Sequence, residues 1–418
     1  MAAGIPAAEV LQRIYGDKAD RAAARYENLA AGFAKNFTGD VQGYFSAPGR
    51  TEIIGNHTDH NGGKILAASI TMDTIAAAAP SGNATVKIVS EGYAVPVVVD
   101  INRLEQVPTC KGTLSLVAGM LKAARDEYGY EIGGFNAYVS TEVISSAGVS
   151  SSASFEMLVC AILNEFFNGG KIDYAHYARI GQYAENVYWE KASGLMDQMA
   201  CAVGGTIALD FGGGEVHYEK VDFGFDQLGT NLVIINTGKG HADLSAEYSS
   251  VPNEMRLVAR ELGGENLCDA TEEDLLKDLP AIRAKLGNDR AVLRALHWYE
   301  ECARVDDAVA ALAAGDKEKM LEIIRESGNS SWKWLQNCYV VSNPAEQSIP
   351  YALALTEIFM KRKGRGVCRI HGGGFAGVIA AVVPFEDTEE FVEYLTPFLG
   401  AENINVMGIR QEGAIAVK

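Results

Sequence analysis

Apolar residues recur every three to four positions near the start of the chain, at Val10, Leu11 and Ile14 and again at Tyr26, Leu29 and Phe33. That period predicts two helices across residues 7–37, split near Gly16-Asp17. The pattern then shortens: from Tyr44 to about Leu104, β-rich runs at 64–70, 85–90 and 95–100 predict strands. Helical spacing returns at 113–127, 154–167 and 174–189, with a strand at 134–141 between the first two. Runs at 206–211, 216–218 and 232–237 read as strands, and the Phe211-Gly-Gly-Gly turn signal marks the expected domain boundary. The units are then 1–210 and 211–418. Residues 246–330 read as charge-rich helices, 351–361 as another helix and 378–383 as a strand. Strands and helices mix without regular βαβ alternation, which predicts an α+β fold.

Composition narrows the function. At 418 residues the chain exceeds the size at which one core stops growing, so two domains with a ligand cleft between them are expected. A net charge of −18 and a pI near 4.9 argue against a nucleic-acid or anionic-membrane surface. No apolar run approaches the roughly 20 residues that span a bilayer, and the N-terminus has no basic segment followed by an apolar one. A cytoplasmic protein is expected. Seven scattered cysteines without a Cys-x-x-Cys pair predict reduced thiols.

Three glycine- and serine-rich segments carry the candidate chemistry. In 145–154, small residues surround Gly148, and the helical period of Phe155, Leu158, Val159, Ile162 and Leu163 begins directly after. Such a loop turns backbone N–H groups and the positive end of a helix dipole toward an anion, with serine hydroxyls as further donors. It lacks the Gly-x-x-x-x-Gly-Lys-Ser/Thr string, and a serine-rich helix cap is the other reading. In 49–63, Arg50, Glu52, Asn56, His57, Asp59, His60 and Asn61 crowd against four glycines. That crowding suits a polyhydroxylated ligand, or else a polar surface turn; a metal site at His57 and His60 is not expected there. The third segment is Arg369-Ile-His-Gly-Gly-Gly-Phe-Ala-Gly377. Between them, Gly194-Leu-Met-Asp-Gln198 places Asp197 among small and apolar residues. A partly desolvated aspartate serves as a base where a cation such as Arg50 keeps it ionised; the alternative is a helix N-cap.

In order and spacing these segments resemble the galactokinase family of the GHMP superfamily of small-molecule kinases. The family pattern Gly-Arg-x-Asn-x-Ile-Gly-Glu-His-Thr-Asp-Tyr is similar to Gly49-Arg-Thr-Glu-Ile-Ile-Gly-Asn-His-Thr-Asp-His60. Gly-Leu-Ser-Ser-Ser-Ala-Ser resembles Gly148–Ser154, Cys-Gly-Ile-Met-Asp-Gln resembles Ser193–Gln198, and Thr-Gly-Gly-Gly-Phe-Gly-Gly resembles His371–Gly377. The resemblance implies a two-domain α+β fold with the active site in the cleft between the domains, and ATP-dependent phosphorylation of the C1 hydroxyl of galactose or a similar sugar. It makes Asp197 the catalytic carboxylate and Arg50 the cation that keeps it ionised and offsets charge on the moving phosphoryl group. It assigns ATP phosphate contacts to Gly148, Ser150, Ser151, Ser152, Ser154 and Gly373, and places Ser151 and Glu185 near Mg²⁺. Asn56, His57, Asp59, Gly194 and Tyr248 fall where the family contacts sugar, Tyr248 through Asp243-Leu-Ser-Ala-Glu-Tyr248. The implied partners are the sugar and ATP, with no nucleic acid and no membrane, on a monomer or weak homodimer.

The chain departs from the family at Glu52, Asn56, His60, Ser193, His371 and Ala376. The family's glutamate at the place of Asn56 looks toward the sugar's C6 hydroxyl. An asparagine amide can instead donate to an anionic C6, so a galacturonate or other C6-altered hexose 1-kinase is an alternative. A second is a sensor that binds sugar and ATP without turnover.

Overall fold

The computed structural model describes residues 4–144, 148–191, 193–238 and 244–418. Helices α1 (Ala8–Tyr15) and α2 (Ala19–Asn36) form as their apolar spacing predicts, burying Leu11, Ile14, Tyr26, Leu29 and Phe33. The chain then enters β1 (Gly43–Ile54) and the long β2 (Lys64–Pro80), followed by β3 (Thr85–Ser90) and β4 (Val97–Asp100). After α3 (Thr113–Lys122) come β5 (Phe135–Thr141), α4 (Ser151–Phe167), α5 (Tyr174–Tyr183) and α6 (Met196–Val203). A hairpin of β6 (Thr206–Asp210) and β7 (His217–Val221) follows.

These strands form one sheet in the order β12-β1-β2-β5-β3-β4, where β12 (Ile415–Ala416) ends the chain and β2 also pairs with β6. The expected boundary at residue 211 falls inside the β6–β7 hairpin, both of whose strands lie in this sheet. The chain changes sheet only with β8 (Thr230–Asn236), and its last strand returns to β1. Then come α7 (Ser245–Glu261), α8 (Glu272–Leu286), α9 (Asp289–Ala314), α10 (Lys317–Ser330) and α11 (Ser348–Lys363). The second sheet, β11-β8-β10-β9, is completed by β9 (Val367–His371), β10 (Val378–Pro384) and β11 (Ile404–Met407), with α12 (Thr388–Leu399) between the last two.

One apolar cluster spans both sheets. Ile54, Leu66 and Ile70 of β1 and β2 pack with Ile234, Val305, Met320 and Val382. Because such interiors are densely packed, this shared cluster holds the two sheets in one arrangement.

Candidate active site

Strand β1 is the spine of the site. Its alternation puts Arg50 and Glu52 on one face, and its register slips at Pro48/Arg50 and Glu52/Ile54. The first slip lets the loop before α4 dock: the Arg50 amide donates to the Val149 carbonyl at 3.1 Å. A Cβ at Gly49 would stand 2.7 Å from that same oxygen, so only glycine permits the approach. The polar crowd expected on a turn is thus divided, Arg50 and Glu52 on a strand and Asn56 to Asn61 on the turn after it.

Arg50 reaches across to the first turn of α6. Its Nε donates to Asp197 Oδ1 at 2.7 Å and its Nη2 to Oδ2 at 2.8 Å, a bidentate pair, while Nη1 bonds the Gly148 carbonyl. Asp197 is therefore no helix N-cap. Burial alone would raise its pKa, but the Arg50 guanidinium and the Ser150 hydroxyl overcome this and hold it below the usual carboxylate value. Its side chain keeps 31% of its exposure, open to the cleft.

The phosphate-loop motif is described from Gly148 onward; Ser145 to Ala147 lie outside the described residues, as does Asp243. Ser150 sits in the left-handed region at φ 57° and makes no capping bond; its hydroxyl donates to Asp197 instead. The helix-cap reading of this serine is thereby corrected. Helix α4 begins at Ser151, three residues before the apolar period shows it, with no acidic residue in its first turn. Its leading amides, with the partly exposed Ser151 and Ser152, form an end suited to an anion. Ser154 does not join them. It is fully buried, donating to the Ala47 carbonyl and sharing a hydrogen bond with Thr74, so its expected phosphate contact is corrected to a structural one.

The turn after β1 forms the opposite wall. Gly55 at φ 113° leads into His57, itself at φ 63°. The His57 Nε2–H donates to the Gly373 carbonyl at 2.8 Å, and burial pushes its pKa down to about 3, so the ring is neutral. Its other nitrogen remains an acceptor. Tyr248 packs on Gly373 and donates to the Gly374 carbonyl at 3.0 Å. Gly373, expected at phosphate, is thus part of the wall that carries His57 and Tyr248. Gly194 lies so close to Asp59 that a Cβ would overlap its Oδ2. On the sugar-binding role that the resemblance implies, Gly194→Ala is expected to raise the sugar KM roughly tenfold or more without moving the ATP KM, since a displaced hydrogen-bonding group costs more than 1 kcal/mol; steady-state kinetics with each substrate varied will check it.

Residues that the sequence did not point to hold this wall in place. From α9, His297 Nε2–H donates to the Asn56 carbonyl at 2.9 Å, Trp298 Nε1–H donates to the Thr58 carbonyl at 2.9 Å, and Glu301 accepts from the Gly55 and Asn56 amides. Their signal is helical: Arg294, His297, Trp298, Glu301 and Arg304 recur at the three-to-four spacing of a buried face. Asn56 is itself fully buried. Its amide hydrogens go to Glu52 Oε1 at 3.1 Å and the Gly372 carbonyl at 2.7 Å, and its oxygen accepts from Asn337 at 2.8 Å. The expected donation to a C6 acid is therefore not available from this amide.

Glu185, in the turn that extends α5, is held by the Lys191 ammonium at 2.9 Å. Behind it, Gln198 bridges to the buried Glu156, whose pKa is raised strongly by burial and by the Glu185 charge. Arg50, Asn56, His57, Asp59, Glu185, Gly194, Asp197, Tyr248 and Gly373 line a single cleft of about 200 Å³, together with Glu52 and Lys191. That size and polar lining fit a small hydrophilic molecule.

Comparison with known proteins places this geometry. Residues 31–80 match the galactokinase galactose-binding signature, and residues 115–205 match the N-terminal domain of GHMP kinases. A galactokinase of Clostridium perfringens (strain SM101 / Type A) is 30% identical over 380 residues, covering 87% of this chain and 92% of that protein. The chain belongs to the galactokinase family. A galactokinase of Lactococcus lactis subsp. lactis is likewise 30% identical, over 371 residues covering 87% of this chain and 88% of that protein. The solved Lactococcus lactis galactokinase complexed with galactose superposes with a TM-score of 0.77 at 26% identity, covering 93% of this chain and 98% of that one. Methanococcus jannaschii mevalonate kinase, at 15% identity and a TM-score of 0.62 over 90% of this chain and 100% of that one, shares the fold alone. The α+β GHMP kinase fold and the sugar-kinase class implied by the motifs are thus established for this member of the galactokinase family, and ATP follows as its phosphoryl donor. No helix among the described residues is long and apolar enough to cross a membrane.

Proposed function

We propose that the protein transfers the γ-phosphoryl group of ATP to the C1 hydroxyl of galactose. The observation that carries this is the bidentate Arg50–Asp197 pair, joined by Ser150, at the seam between the sugar-motif turn and the N-terminus of α4. In this reading the α4 amides with Ser151 and Ser152 take the ATP phosphates, His57, Asp59, Gly194 and Tyr248 seat the sugar, and Asp197 accepts the C1 hydroxyl's hydrogen bond. Arg50 keeps Asp197 ionised, so the hydroxyl's lone pair is aimed at the phosphoryl group as its proton moves toward the carboxylate. Lys191 supplies a second cation where negative charge gathers.

Glu185 and Ser151 offer the hard oxygen donors that Mg²⁺ takes alongside nucleotide phosphates. Bound there, Mg²⁺ would neutralise phosphate charge; Lys191 already faces Glu185 and meets part of that demand.

The test is ADP release with Mg²⁺ across galactose, galacturonate, N-acetylgalactosamine, glucose and arabinose. Turnover led by galactose is expected. Binding of ATP and sugar without ADP release would replace this reading with the sensor.

A further inference from the structure

Glu52, one of the carboxylates that line the cleft, keeps an oxygen whose acceptor capacity the protein leaves largely unfilled. Its Oε1 takes the Arg369 guanidinium at 2.7 Å and the Asn56 amide at 3.1 Å. Its Oε2 has only the same amide, at 3.4 Å. An ionised carboxylate offers about four lone-pair sites, so Oε2 retains capacity for a donor entering the cleft that Glu52 lines. Asn56 beside it has no such capacity, both amide hydrogens being taken. The family pattern carries asparagine at the place of Glu52 and glutamate at the place of Asn56. The two residue types are exchanged here, yet still hydrogen-bond each other, so the pair keeps one carboxylate and one amide.

Resting on the kinase reading above, we infer that Glu52 is the specificity residue of this cleft: its free oxygen accepts a hydroxyl of a neutral hexose, and its charge rejects a hexose acid. Glu52 stands two residues along β1 from Arg50, about 6.6 Å at strand rise. A hexose reacting at C1 beside Asp197 therefore meets it with its far hydroxyls. A ligand carboxylate there would find both neighbouring guanidinium groups committed, Arg369 to Glu52 and the Ile53 carbonyl, and Arg50 to Asp197 and the Gly148 carbonyl. Burial raises the Glu52 pKa, while the Arg369 contact favours the ionised form.

The experiment compares kcat/KM for galactose and galacturonate in the wild type, in Glu52→Gln, and in the exchange variant Glu52→Asn/Asn56→Glu, each checked by thermal melting. The wild type is expected to favour galactose at least 100-fold. Glu52→Gln should lose at least tenfold in kcat/KM for galactose through KM, leave the ATP KM in place, and narrow the preference over galacturonate at least tenfold. The exchange variant, which keeps one carboxylate in the pair, should still prefer galactose, and it decides the matter if Glu52→Gln does not fold. A wild type that prefers galacturonate, or a preference unmoved in Glu52→Gln, overturns the inference. Absence of turnover on any sugar would sink the kinase reading alone; calorimetric affinities of the same sugars for wild type and Glu52→Gln would then support or overturn the role of Glu52 by the same ratios.

Discussion

Asp197→Asn is expected to lower kcat by about three orders of magnitude, the scale on which one preorganised charged group at a reacting centre acts, while both KM values stay within a few-fold. Asparagine keeps the size of aspartate and one acceptor for Arg50, so the cleft's shape and the sugar contacts proposed for His57, Asp59 and Tyr248 should survive. What disappears is the negative charge that the proposed function sets against the C1 hydroxyl. The lowered pKa of Asp197 sharpens the prediction. A group ionised at every pH in the working range is a weak base, so its main contribution is to aim the hydroxyl and stabilise positive charge as the proton departs. No acid limb above pH 5 in the profile of kcat should therefore belong to Asp197. Single-turnover measurements at saturating ATP and sugar will check the loss. A kcat within tenfold of wild type would remove Asp197 from the reaction. Arg50, only 6% exposed, also loses half its ionic partner, so the variant should melt a few degrees lower while remaining folded.

The parts of this arrangement that were legible in the sequence share one property: their signal is local. The stripes of α1 and α2 are spaced by the helix itself, and the Gly-Ser run announces the loop that leads into α4 through residue types alone. Strand β1 was hidden because Ser46-Ala-Pro-Gly-Arg-Thr-Glu carries a proline, a glycine and two charges, none of which favours a strand. The structure tolerates them because both register slips fall there and each buried polar group finds a distant partner: Arg50 at Asp197, Glu52 at Arg369, Thr51 at His371. Partners more than a hundred residues away leave no periodic trace. The same reason concealed the role of α9, whose helix is expected from the sequence. Its charged residues resemble a solvated face, whereas Arg294, His297 and Glu301 are fully buried against the sugar-motif turn. Asn56 is expected to face a ligand because the family's glutamate at its place does, and only the positions of Gly372 and Asn337 reveal that its amide is spent inside the protein.

That concealed contact carries the largest expected effect on stability. Glu301 accepts the Gly55 amide at 3.1 Å and the Asn56 amide at 3.3 Å through Oε1, with the Ser327 hydroxyl as a third donor, and Arg304 binds Oε2 at 2.8 Å. Burial alone would raise its pKa, but His297, Arg304, Arg369 and the Ser327 hydroxyl outweigh that and bring it to about 2. A carboxylate depressed from its ordinary value to that level stabilises the folded state by roughly 3 kcal/mol at neutral pH, at about 1.4 kcal/mol per unit. Because the folded pKa is the lower one, this stabilisation is complete above the unfolded value near 4.5 and drains away as pH falls toward 2. Glu301→Gln keeps one acceptor oxygen for the two amides, and removes the charge together with the second oxygen that takes Arg304. It should melt well below wild type at pH 7, and the gap should close as pH drops from about 4.5 toward 3. A gap constant with pH would mean that shape alone, and not the charge, supports the turn. Since Gly55 and Asn56 begin the segment that seats His57 and Asp59, the same variant should raise the sugar KM before it affects the ATP KM, linking a buried charge on α9 to recognition in the cleft.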